Sequence, residues 1–209
     1  MSNVSRIVGF RPVRSLLGAE IGGRISKYCV LAASTTAVFK GDLVKLTGSS
    51  GLLQGGSLSG YPLPDAGVKE IVPCTPGDPA VGVVVGFSAS PPNLDVGNTF
   101  RPTGAQTNDR IVWVADDPNW LFEIQANGSV TQTLVTKNAN INTATPGSTT
   151  TGFSGMQLDT ATLATTATLQ LKVMELSQRV DNDITSTNVK VLIKINNHQL
   201  DTGTGTLGV

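Results

Sequence analysis

Two segments in the C-terminal third alternate most cleanly between apolar and polar positions. In VKVLIKI, Val189, Val191, Ile193 and Ile195 share one face, and Lys190 and Lys194 share the other. In TLQLKVMEL, Leu169, Leu171 and Val173 oppose Gln170, Lys172 and Met174. Successive strand residues point to opposite faces, so a period of two predicts two half-buried strands, joined here by the polar loop 178–188. The most aromatic stretch is DRIVWVADDPNWLFEIQ, from Asp109 to Gln125. It predicts a hairpin. Ile111 to Ala115 reads as a strand buried on both faces, and Trp120 to Gln125 as a half-buried one with Trp120, Phe122 and Ile124 inward. Asp116, Asp117, Pro118 and Asn119 supply the turn, because Asp and Asn cap their own backbone and Pro fixes φ. Asn127-Gly128 offers a second turn of the hairpin kind. The expected core centres on Trp113, Phe122, Ile124, Leu171, Val173, Val191 and Ile193.

Upstream, Ser26–Leu31, the DLVKLTG segment from Asp42, Val68–Pro73 and Ala80–Phe87 predict further strands. Gly82 and Gly86 inside the last of these signal bulges or close backbone approach. Residues 48–67 and 88–106 are rich in Gly, Ser and Pro and read as long loops, and Ser154–Asp159 as a short strand. About ten short strands with no long helix predict an all-β fold, an antiparallel barrel or sandwich with long loops. Residues 1–25 form an extended N-terminal arm with a helical turn near Ser15–Glu20. Residues 26–200 form the β-rich domain, either undivided or as two β subdomains meeting near 88–108. Residues 201–209 are a Gly/Thr tail expected to fray.

Composition narrows the function. Charged residues are only 14% of the chain, aromatics 5%, and the formal net charge is zero. That excludes a helical bundle and leaves no global field to attract nucleic acid or a membrane. The charge is uneven: Arg6, Arg11, Arg14, Arg24, Lys27 and Lys40 meet only Glu20 in the first 41 residues. Cys29 and Cys74 make no disulfide framework and have no metal-type spacing with His198, which fits assembly in a reducing compartment. No apolar run is long enough for a membrane span or placed as a signal peptide.

Reactive chemistry is sparse. GTGTLG at Gly203–Gly208 matches the letters of a dinucleotide fingerprint, but no helix follows to receive a phosphate. Asp116-Asp117 with Glu123, and Asp181-Asn182-Asp183, offer oxygen ligands of the kind a cation uses. Paired Asp at a turn more often caps backbone amides. His198 has no partner in a nucleophile motif and is expected at an interface or in solvent. The chain therefore reads as a non-enzyme with no catalytic, cofactor-binding or metal-binding residues.

The N-terminal arm is the candidate binding element. Its apolar residues, Ile7, Val8, Phe10, Val13, Leu16 and Leu17, are spaced too irregularly for one face of a strand or helix. A partner surface is the expected place for them. Arg6, Arg11 and Arg14 lie between them, and guanidinium groups pair directionally with the carboxylates of an acidic protein partner. The candidate site is therefore Arg6, Phe10, Arg11, Arg14, Leu16 and Leu17. Exposed strand edges with few charges to blunt them point to a closed homo-oligomer, a trimer first.

Several phrases together resemble the head decoration, or capsid cement, proteins of tailed bacteriophages, especially short-tailed ones. They are VGFRPVR (Val8–Arg14), KGDLVKLTG (Lys40–Gly48), AVGVVVGF (Ala80–Phe87), WVADDPNWLFEIQ (Trp113–Gln125), FSGMQLDTATLATTATLQLKVMELSQRVDN (Phe153–Asn182) and VLIKINNHQL (Val191–Leu200). The resemblance implies a β-rich trimer or dimer on the outer capsid surface of the virion, assembled in the host cytoplasm. It would sit across junctions between major capsid protein subunits and stiffen the shell, with no cofactor, nucleic acid or membrane involved. Two other classes fit the same residues. One is a tail- or fibre-associated carbohydrate-binding module with Trp113 or Trp120 as an exposed stacking platform. The other is a trimeric β-fold hydrolase with a metal on Asp116, Asp117 and Asp183.

Overall fold

Apolar alternation along five central strands closes them into a barrel, and the remaining long strands form a sheet packed on its wall. The computed structural model describes residues 3–18, 25–52, 67–88, 99–106, 109–201 and 205–208. In chain order the strands are β1 (Arg11–Ser15), β2 (Ile25–Val30), β3 (Val38–Phe39), β4 (Leu43–Leu52), β5 (Gly67–Pro73), β6 (Gly82–Phe87) and β7 (Phe100–Arg101). They continue with β8 (Arg110–Ala115), β9 (Trp120–Gln125), β10 (Asn138–Ala139), β11 (Ile141–Asn142), β12 (Gln157–Leu158), β13 (Leu171–Leu176) and β14 (Lys190–Ile195). The fold is all-β, as the periodicity predicts.

The barrel runs β2-β5-β4-β6-β8, and the five-stranded sheet runs β1-β9-β14-β13-β10. All barrel pairings are antiparallel except a short parallel contact between β2 and β5 at Cys29 and Glu70. Alternation divides the barrel wall. Tyr28, Ile71, Val44, Val84, Val112 and Val114, from all five strands, fill the interior. Leu43, Val83 and Ala115 point outward and join Trp120, Phe122, Ile124, Leu171, Val191 and Ile193 in a second cluster between barrel and sheet. This second cluster ties the two sheets together.

The stretch 109–125 is not a hairpin. β8 pairs with β2 and β6 inside the barrel, whereas β9 pairs with β1 and β14 in the sheet. The Asp116–Asn119 turn carries the chain from one sheet to the other. Its Asp117 carboxylate accepts the Asn119 backbone N–H at 2.8 Å, which is the self-capping that the sequence predicts. Residues 88–108 join β6 to β8 within one barrel and so divide no domains.

The burial of β8 and β9 is the reverse of expectation. β8 is the half-buried strand: Val112 and Val114 are inside, but Trp113 lies on the outer wall, 38% exposed. It leaves the core, and Trp120 is the buried tryptophan. β9 is buried on both faces, including Leu121 and Gln125, because it is flanked by β1 and β14 and crossed by the N-terminal segment. The other expected core residues, Phe122, Ile124, Leu171, Val173, Val191 and Ile193, are all buried.

The glycines of β6 behave as anticipated. A Cβ on Gly82 would strike the Ala115 carbonyl, so only glycine lets β6 and β8 approach there. The β6–β8 register breaks between Val84 and Gly86. Asn127-Gly128 makes no hairpin. The Asn127 side chain instead accepts from Thr160 N at 3.0 Å and holds a 3₁₀ turn at Thr160–Thr162. The tail is not frayed at 205–208: the Asn138 amide donates to the Thr206 carbonyl at 2.7 Å, and Gly208 N donates to Thr165 O at 3.0 Å. Residues 202–204 and 209 of that tail, residues 1–2 and 19–24 of the arm, and the loop stretches 53–66 and 89–98 lie outside the described residues.

Candidate partner-binding surface

The N-terminal segment is part of the fold over much of its described length. Phe10 is 2% exposed, and its ring meets Phe122 edge-on, with centroids 6.4 Å apart. It anchors the segment in the core, so it is not available to a partner. The irregular spacing hid this because residues 8–10 cross the barrel at one point rather than lining it. Gly9 (φ +69°) and Gly41 (φ +91°) meet at that crossing, and Phe10 N donates to Gly41 O at 2.9 Å. A Cβ on Gly9 would collide with the Gly41 carbonyl.

Beyond the crossing, β1 pairs antiparallel with β9 and forms one edge of the five-stranded sheet. The register slips between Pro12 and Arg14, and Val13 is 43% exposed there. Pro12, the bulge and the flanking arginines are devices that blunt an edge against open pairing. A turn follows, with Gly18 N donating to Ser15 O at 3.2 Å, and it leaves Leu16 and Leu17 exposed. Five of the six candidate residues, Arg6, Arg11, Arg14, Leu16 and Leu17, are therefore exposed.

Upstream of Phe10 the segment lies over the sheet. Gln125, 4% exposed, accepts from Arg6 N at 2.8 Å and donates to Ser5 Oγ at 3.2 Å and Asn188 Oδ1 at 3.3 Å. The Asn3 side chain donates to the Asp183 and Thr187 carbonyls, each at 2.9 Å. These bonds leave a cleft of about 210 Å³ between residues 6–11 and the 179–190 loop, with Glu123 and Gln125 at its floor. Glu123 stands opposite Arg11 in the register, yet its oxygens accept from Ser177 Oγ at 2.7 Å and Arg179 at 3.3 Å. Asp181 accepts from Arg179 at 3.1 Å and Lys190 at 3.3 Å, and these bonds, Arg179 first, hold its carboxyl below the usual range.

The other outward positions of the sheet mix cations with Leu121, Leu192 and Glu175. Paired residues share a face, so Arg11, Lys190, Lys194 and Lys172 lie on the same side as Glu123, away from the core. Arg14 reaches across this face to Glu175 at 2.5 Å. The outward lysines of β14 are legible in the alternation. Arg179 and Gln125 are not, because only the fold brings the 178–188 loop under the N-terminal segment.

The other candidate groups serve the structure. The Asp116 carboxylate accepts the Tyr28 hydroxyl at 2.7 Å, and Asp183 accepts the Thr185 backbone N–H at 3.0 Å. Among the described residues no group of three His, Cys, Asp or Glu side chains is placed to hold a metal ion. His198 is neither interfacial nor solvated in this chain. It is 3% exposed, its Nδ1 accepts from Leu200 N at 3.1 Å, and burial pushes its pKa down to about 4. Cys29 and Cys74 are both buried free thiols, their pKa values raised by burial.

Fold and surface together define an all-β protein in which an N-terminal edge strand closes a basic sheet packed on a five-stranded barrel. No protein-family model, no curated protein and no solved structure matches the chain.

Proposed function

We propose that the chain is a virion structural protein, a decoration or cement protein that binds the outer surface of a phage capsid and stabilises the shell. It acts as a closed homotrimer seated across junctions between major capsid protein subunits. The observation that supports this most directly is the sheet edge at β1, where Val13, Leu16 and Leu17 are exposed together beside Arg11 and Arg14. Apolar side chains on a strand edge and its adjoining turn call for a cover, and a partner subunit supplies one. The test is co-sedimentation with empty shells of the same virus that lack the protein, read alongside shell disruption temperature. Wild type should bind and raise that temperature, and Leu16→Ser/Leu17→Ser should keep its fold and lose most binding. Failure of wild type to bind shells would overturn the proposal, and a monodisperse monomer in analytical ultracentrifugation would remove its trimeric part.

A carbohydrate-binding module is the second reading, favoured by the exposed ring of Trp113 on the barrel wall. Lys27 Nζ stands 5.7 Å from that ring's centroid. Trp120 is fully buried and offers no platform. Binding to host-cell polysaccharide that is lost in Trp113→Ala would establish this reading in place of the first.

A further inference from the structure

We propose that the outward face of the five-stranded sheet, entered through the cleft between Arg6 and Arg11, is a receptor for a carboxylate-rich segment of a protein partner. The proposal rests on the capsid-binding reading for the partner's identity but not for its chemistry. Charge is the first argument. A chain of zero formal net charge concentrates Arg11, Arg14, Lys172, Lys190 and Lys194 on one sheet face. Arg6 and Arg179 overhang it from the flanking segments. The acids interspersed with them are Glu123, Glu175 and Asp181, and they are taken up by Ser177, Arg14, Arg179 and Lys190. That leaves two arginines lining the cleft, Arg6 and Arg11, with no carboxylate partner among the described residues.

The cleft is also built. The buried Gln125 amide fixes the path of residues 5 and 6, and the Phe10 anchor fixes the other end of the segment. The two guanidinium groups are thus carried on backbone that does not have to order on binding, which lowers the cost of pairing. Each can grip a carboxylate through two parallel N–H donors. A second, apolar cleft adjoins on the far side of the same segment. Arg11 and Lys40 border it, and Val8, Pro12, Val85 and Phe153 line it. A partner segment that alternates acidic and apolar residues finds complementary surface in both.

A second copy of this chain is the weaker occupant. Every carboxylate among the described residues already has a partner within its own chain, so pairing any of these with Arg6 or Arg11 of a second copy competes with an internal contact. Nucleic acid fits less well too. The described strand residues on this face include no exposed aromatic side chain for base stacking.

The experiment compares wild type with Arg6→Glu/Arg11→Glu and with a matched barrel-wall control, Lys27→Glu/Lys69→Glu. The probes are poly-L-glutamate, a thymidine oligonucleotide of equal charge, and empty shells of the virus. Arg6 and Arg11 are exposed, and an unchanged melting temperature verifies the fold of their variant. Wild type should bind poly-L-glutamate with affinity that falls as salt rises. The cleft variant should bind about 10- to 100-fold more weakly, as loss of charge-assisted hydrogen bonds implies, while the control keeps wild-type affinity. Equal loss in both variants, no loss in the cleft variant, or tighter binding of the oligonucleotide would each overturn the proposal. So would self-association that disappears in the cleft variant. Shell binding that survives Arg6→Glu/Arg11→Glu refutes the face and leaves the capsid reading intact. Cleft-dependent poly-L-glutamate binding without shell binding does the reverse, and binding to neither removes both.

Discussion

Replacing Phe10 with alanine tests whether the N-terminal segment is a detachable arm or part of the core. The ring is 2% exposed, packs edge-on against Phe122 and belongs to the cluster between barrel and sheet. Truncating a fully buried phenylalanine costs about 3–5 kcal/mol, combining lost transfer free energy with the cavity left behind. For a chain of this size each kcal/mol lowers the melting temperature by roughly 2–4 °C, so Phe10→Ala should melt about 6–20 °C below wild type. The internal control is Leu16→Ala, six positions away and 48% exposed, which should change stability by no more than about 0.5 kcal/mol. Thermal unfolding followed by circular dichroism reads both. A Phe10→Ala protein melting within about 2 °C of wild type would show that the segment's anchor contributes nothing to the fold. Deleting residues 2–14 outright would be a poorer test of binding, since it removes this anchor and most of β1 together.

Two further predictions concern buried charge. Arg101 is 1% exposed and donates to the carbonyls of Thr36 and Pro102 at 2.9 Å, Leu31 at 3.2 Å and Ala32 at 3.3 Å, and also to Ser34. Arg101→Met keeps the volume but strands those acceptors, and it should lower the urea midpoint by the equivalent of at least about 3 kcal/mol; an unchanged midpoint would mean the loop carbonyls find water instead. Between pH 6.5 and 4, two buried groups oppose each other. His198 is pushed down to about 4, so the unfolded chain binds the proton first and stability falls as pH drops from 6.5 towards 4. Asp42, which caps Phe39 N at 2.7 Å, is raised by burial to about 6, so its contribution is present at low pH and is lost as pH rises from 3.8 through 6. Each amounts to about 3 kcal/mol across its window. Asp42→Asn should therefore melt progressively earlier from pH 6.5 to 4, and His198→Gln progressively later; parallel curves for the two variants would refute the assignment.

Strands whose two faces meet different surroundings were legible in the sequence. β13 and β14 show it: Leu171, Val173, Val191 and Ile193 are inward as their period of two predicts. The exchange between β8 and β9 was not legible, because local pattern reports apolarity and not the identity of the pairing strand. Two apolar runs four residues apart look like a hairpin whether they pair with each other or each with distant strands. Phe10 was hidden for a related reason. A segment that contributes one anchor at a crossing has no period to detect, although Gly9 beside it marks the close approach. Of the proposed binding surface, Arg6, Arg11, Arg14, Leu16 and Leu17 could be named from the sequence. The groups that organise them, Gln125 with Arg179 and Asp181, come from elements more than fifty residues apart in the chain and could not be placed together from the sequence.

The partition of strands between the two sheets also sets an order of events on the ribosome. Every barrel strand comes from residues 25–115, so the barrel can close as soon as that length has emerged. The sheet draws β1 from the start of the chain and its other strands from 120 onwards, with Arg11 finding Glu123 as its register partner. β1, synthesised before every barrel strand, is thus among the last to be seated, since a contact at such separation must wait for its partner and carries the larger closure entropy. Until then the nascent chain presents Phe10 and the outer barrel wall at Leu43, Val83 and Ala115 as bare apolar surface, the state in which chaperone capture or misassembly competes with folding.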